Sequence, residues 1–178
     1  MKKFIIILII AFVSIGLIIW LTSIQDAKYV NYRVGKNVQN LESIGQEFEN
    51  QGQVHIKNGE SHPSYNSNPP TSGWHYVLPA NWGVYGRPLA DEQAIHNLEH
   101  GGIWITYKDI DSDTKENLEK ITKANGGNII LSPRDANDSK IVLASWTRLE
   151  KLDSYDEAKI LEFILRNRGK GPEGIIMP

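Results

Sequence analysis

The stretch Asp91-Glu92-Gln93-Ala94-Ile95-His96-Asn97-Leu98-Glu99-His100-Gly101-Gly102-Ile103-Trp104-Ile105-Thr106-Tyr107 carries the reading of the fold. Asp91 to His100 reads as a helix. Asp91 serves as an N-cap and Gly101 as the residue just past the C-terminus. Ile95 and Leu98 face a core. After the two glycines the pattern changes, and Ile103–Tyr107 alternates as a strand.

Outward from that unit, both directions are legible. Asp113–Ala124 reads as a helix in which Leu118 and Ile121 face inward and Glu116 and Lys120 form an i,i+4 pair. Gly126-Gly127 ends it. Asn128–Ser132 and Lys140–Trp146 read as strands. Ser154–Asn167 is the strongest helix, with Tyr155, Ala158, Leu161, Ile164 and Leu165 as its apolar stripe. Upstream, Gln53–Ile56 suits a short strand. Asn58–Pro88 is rich in Gly, Pro, Ser, Asn and aromatics, the composition of ordered, non-repetitive loop. The expected class is α+β: one compact domain with a small sheet, two or three helices and a long ordered loop. Trp104 and Trp146 belong to its sheet core.

The N-terminal end has a different character. Phe4–Thr22 is uncharged, rich in Ile and Leu, and follows Lys2 and Lys3. Nineteen helical residues span about 28 Å, close to a bilayer core of about 30 Å. No convincing small-residue cleavage site follows, so an uncleaved anchor is expected, with a cleaved signal as the alternative. Trp20 suits the headgroup belt, and the two lysines put the N-terminus on the cytoplasmic side. The expected organisation is a cytoplasmic stub and transmembrane anchor over 1–25, a stalk over 26–50, and an extracytoplasmic globular domain over 51–178. Val38, Leu41, Ile44 and Phe48 in the stalk have the spacing of a short amphipathic helix.

Composition excludes several functions. The 178 residues carry a net charge of −2 at a pI near 6.2, so no bulk positive field exists to bind nucleic acid. Cysteine is absent, which removes disulfides, thiol nucleophiles and thiolate metal sites. Any metal must sit on His, carboxylate or Met.

All five histidines fall between His55 and His100. Within them, His96-Asn97-Leu98-Glu99-His100 has imidazoles at i and i+4, on one helical face, where both can turn to one ion. Glu99 lies within about 100° of both and can hold a water or join the ligands. This H-x-x-E-H spacing is that of the inverted zinc proteases, but Gly101-Gly102 cuts the helix where those proteins continue it. A second group is Tyr65-Asn66-Ser67-Asn68-Pro69-Pro70-Thr71-Ser72-Gly73-Trp74-His75. Its prolines stiffen the chain, and the turn at Gly73 sets Trp74 and His75 in a fixed place. A Ser72–His75–Glu99 triad can be drawn, but no nucleophile elbow frames the serine. Met177 is the third item: a gap filler in the core, or a soft ligand suited to copper.

Taken together, Tyr65–His75, Gly83-Val84-Tyr85, His96–Gly102, Leu143-Ala144-Ser145-Trp146 and Arg166–Glu173 resemble the bacterial family catalogued as domain of unknown function 3105. The similarity runs from about Phe48 to the end. That family often carries an N-terminal membrane segment; the resemblance implies one domain and assigns no activity and no functional residues.

The leading functional expectation is a membrane-anchored, extracytoplasmic domain that binds zinc or copper. His75, His96 and His100 are the expected ligands, with His62, Glu99 or Met177 completing or tuning the site. Tyr65, Trp74, Trp82 and Tyr85 would wall a half-exposed pocket. One alternative is a zinc-dependent hydrolase with Glu99 as base. Another is a metal-free adaptor that contacts a second envelope protein through the aromatic loop.

Overall fold

The computed structural model describes residues 41–174. The anchor expected at Phe4–Thr22, most of the stalk, and Met177 lie outside the described residues. Among the described residues no helix is long and apolar enough to cross a membrane.

The described chain is an α+β domain built on the quoted unit. Helix α1 (Asp91–Glu99) turns through Gly101-Gly102 into strand β5 (Ile103–Tyr107), whose five residues are all buried. Helix α2 (Ser112–Asn125) then crosses to β6 (Ile129–Pro133), which pairs in parallel with β5. Strands β7 (Ile141–Ser145) and β8 (Arg148–Leu152) form an antiparallel hairpin, and β7 also pairs antiparallel with β5. Helix α3 (Glu157–Asn167) follows. Two short strands complete the main sheet: β1 (Gln46–Glu47) against β8 and β4 (Gly83–Val84) against β6. Its order is β1-β8-β7-β5-β6-β4. A separate two-stranded parallel ribbon joins β2 (His55–Ile56) to β3 (His75–Tyr76).

The core explains the order of the sheet. Trp104 is fully buried on β5 and clusters with Ile95, Leu98, Ile130, Ala144 and Trp146. Removing that apolar surface from water contributes about 25 cal/mol per Å². The indole N–H of Trp104 donates to Ser132 Oγ at 2.9 Å, so the ring is buried without an unpaired donor. Central strands β5 and β7 are buried at every position, Thr106 and Ser145 included, so the alternation expected of Ile103–Tyr107 does not appear in its burial.

The long segment 57–90 is tied to this frame. Thr71 and Ser72 are fully buried, and the Thr147 N–H donates to the Thr71 carbonyl. Asn68 donates to the Ala136 carbonyl and accepts from Arg134. Tyr65, Trp82, Tyr85 and Leu89 pack against the Trp104 cluster.

Several local expectations are corrected. No helix forms over 41–50; Gln46 and Glu47 are extended because Leu149 and Arg148 offer a sheet edge to pair with. Asp91 is not the N-cap of α1: that position is Ala90, and the Asp91 carboxylate instead forms a two-pronged pair with Arg134 at 2.7 and 2.6 Å. Helix α2 begins one residue earlier, capped by Asp111, whose Oδ1 accepts from the Thr114 N–H. Helix α3 begins only at Glu157, with Asp156 as its cap. Its buried stripe is Ile160, Leu161, Phe163 and Ile164, while Ala158 is exposed. Strand β8 was not expected. Its buried residues Leu149 and Leu152 are three apart rather than two, and no Gly, Asn or Asp marks the Trp146-Thr147 turn before it.

Candidate metal centre

Two elements built from distant sequence meet at the histidines. In the parallel ribbon, His55 is the direct register partner of His75. The ladder is held by the His75 N–H on the Val54 carbonyl and the Gly73 N–H on the Gly52 carbonyl. Helix α1 packs on β3 and brings His96 to the same place. Ring centroids stand 4.6 Å apart for His55 and His75, 4.9 Å for His55 and His96, and 5.1 Å for His75 and His96. One ring nitrogen from each of the three lies within 4.8 Å of the other two. A single ion bound tetrahedrally at about 2.0–2.1 Å spaces its donors about 3.3 Å apart, so small ring rotations close the set.

The outer hydrogen bonds orient these rings. His75 Nδ1 is 2.7 Å from the Gly73 carbonyl oxygen, and His96 Nδ1 is 2.7 Å from that of Tyr76. A carbonyl only accepts, so each Nδ1 carries the proton and each Nε2 keeps its lone pair. Metal-bound histidines are held in this way, one ring nitrogen on a carbonyl and the other on the ion.

Glu99 lies in the same cluster. Its side chain is 1 % exposed. Oε1 accepts from Gln53 Nε2 at 2.9 Å. Oε2 is 3.1 Å from His75 Nε2 and 3.5 Å from His55 Nε2. A buried carboxylate is costly without a compensating charge. Since His75 already spends its Nδ1 proton on Gly73, its Nε2 meets Glu99 with a lone pair unless a cation, either a second proton or a metal ion, lies on that contact. His96 Nε2 is 2.9 Å from His100 Nε2, a contact that a neutral His100 bridges by donating from its Nε2 and that an ion bound by both rings would replace. Protonating the rings is a poor solution at His96. Its pKa is lowered by burial first; the hydrogen bond to the Tyr76 carbonyl comes next and opposes it, and the neighbouring His75, His100 and His55 lower it further. His55 is 39 % exposed in its side chain, so the cluster is open to solvent on the β2 side.

The expected site residues are therefore distributed unevenly. His75 and His96 come together, and His100 joins them through His96. His62 does not: it pairs with Glu92 at 3.1 Å, hydrogen-bonds the Pro63 carbonyl and stacks near Tyr65. Tyr65 donates its hydroxyl to the Trp74 carbonyl, fixing the turn ahead of His75. Burial, with Glu92 and Asp91 nearby, pushes that phenol far above its ordinary range. Trp82 and Tyr85 do not wall the histidines; both side with the Trp104 cluster, and Trp82 lines a separate apolar cavity of about 430 Å³ with Val84, Thr122, Lys123 and Ile129. The sequence reading missed His55 as a partner, and with it Gln53. The only local signal was the short strand Gln53–Ile56, and nothing in it names β3 as its neighbour.

No curated protein and no solved structure matches the chain. A family model described as protein of unknown function (DUF3105) matches residues 55–176. The match spans more than half of the chain, starts at His55 and takes in all five histidines and the three glutamates beside them, Glu92, Glu99 and Glu173. The chain belongs to the DUF3105 family.

Proposed function

We propose that this domain binds one zinc or copper ion through His55, His75 and His96, on the extracytoplasmic face of a membrane that Phe4–Thr22 spans. One observation carries the metal reading: one nitrogen of each of the three rings lies within 4.8 Å of the other two, and carbonyls hold the Nδ1 protons of His75 and His96 outward. An all-imidazole set suits zinc and copper better than magnesium or calcium, which prefer oxygen. Glu99 supplies the negative charge that offsets the ion. As a hydrolytic base it would need an oxygen open to a water, but Gln53 engages one oxygen and the other faces the Nε2 atoms of His75 and His55 on a side chain only 1 % exposed, which supports binding over hydrolysis. Val54, just before β2, and Val77 and Leu78, just after β3, are exposed and support an apolar contact with another envelope protein.

The test is elemental analysis of the full chain, purified in detergent without an affinity His tag. Metal near one ion per chain is expected, lost in His75→Ala and His96→Ala and kept in His62→Ala. Wild-type protein that carries no zinc or copper, and takes up neither on dialysis, overturns the proposal.

A further inference from the structure

We infer, resting on the metal-binding reading above, that His100 is the fourth ligand and that Glu173, on the C-terminal tail, is the residue that positions it. His100 Nε2 stands 2.9 Å from His96 Nε2, a hydrogen-bond distance in the metal-free chain that has to open to about 3.3 Å for both to bind one tetrahedral ion, and it adjoins the three-histidine group through His96. Its other nitrogen, Nδ1, is buried and makes no hydrogen bond, while Glu173 Oε2 lies 3.1 Å away. The carboxylate is at the right distance but off the line of a hydrogen bond. A proton held on Nδ1 toward Glu173 leaves the Nε2 lone pair for the metal, as the Gly73 and Tyr76 carbonyls do for His75 and His96.

The tail that carries Glu173 is not loosely placed. The Gly169 N–H donates to the Gly101 carbonyl at 2.7 Å and the Glu173 N–H to the Glu99 carbonyl at 3.3 Å. These are carbonyls at and just past the end of α1, which an isolated helix would leave to water. Gly171 sits so close to Leu98, Glu99 and Gly101 that a side chain there would strike their backbone. The tail thus clasps the helix end that presents His96 and His100, and delivers one carboxylate to His100, whose outer nitrogen, unlike those of His75 and His96, has no carbonyl partner. Glu173 is a positioning residue, since it reaches the ion only through His100.

Cobalt(II) is the probe, loaded into the full chain in detergent, because its visible absorption reports the number and kind of ligands. His100→Ala should change the cobalt spectrum and weaken binding. Glu173→Gln should keep the spectrum and weaken binding about 10–100-fold, the usual effect of removing an outer partner of a metal-bound histidine. Glu173→Gln added to His100→Ala should have no further effect, an outcome that a merely structural role of the tail would not produce. If wild type binds no cobalt, the metal site itself falls. If wild type binds it and both single variants bind equally well with an unchanged spectrum, the site stands and the assignment of His100 and Glu173 is overturned.

Discussion

Substituting Gly171 by alanine tests the packing of the tail on α1. An added Cβ would overlap the Glu99 carbonyl oxygen and the Gly101 nitrogen and lie 2.6 Å from the Leu98 carbonyl oxygen. All three are backbone atoms at the end of a helix, so no side chain can swing aside. Ordinary contact begins near 3.4 Å, and the tail therefore has to retreat by about an ångström, a misfit of the kind that costs about 1–3 kcal/mol. That retreat also stretches the bonds from Gly169 to Gly101 and from Glu173 to Glu99, each contributing about 1 kcal/mol. The sum is about 3–5 kcal/mol, or a fall in Tm on the order of 10 °C for a domain of this size. Thermal unfolding followed by circular dichroism measures it. Gly127→Ala is the control, because a Cβ there meets nothing within 4 Å and no left-handed backbone is involved; its effect should stay within about 0.5 kcal/mol. If Gly171→Ala melts as wild type does, the tail does not rest on α1 as described, and the positioning of Glu173 loses its basis.

Three further outcomes are expected. Arg134→Ala breaks the two-pronged pair with Asp91 and the bond to Asn68, and should cost about 2–3 kcal/mol by urea unfolding, discounted because Asp91 is partly exposed. Faster proteolysis near Asn68 should accompany it; an unshifted midpoint would contradict the anchoring role of Arg134. In the metal-free chain His96 is harder to protonate folded than unfolded, so the unfolded state binds more protons below its ordinary pKa of about 6.5. Stability should then fall as pH drops through that value and level off below the folded pKa, and melts that rise on acidification across this window would refute the sign. Glu99→Gln removes the buried charge while keeping the shape, and should lower zinc affinity measured against a chelator; tighter binding would mean that the carboxylate opposes the ion.

What the sequence determined by itself is what local pattern can determine. The i,i+4 spacing put His96 and His100 on one helical face, and the glycines stopped the helix where it stops. Apolar runs marked β5, β6 and β7 to within a residue or two, and the absence of cysteine confined any metal to His, carboxylate or Met. Tertiary structure decided the rest, because pairing between distant segments leaves no periodicity to read. His55 stands beside His75 only because β2 and β3 pair in parallel across 20 residues of sequence, and Glu99 faces both only because α1 packs on that ribbon. Strand β8 forms because β7 offers it a ladder, although its own apolar spacing is wrong for a strand. Glu173 looks like an ordinary charged residue in a glycine-rich tail, and it meets His100 only because backbone without side chains can approach the end of α1 closely enough to bond to it.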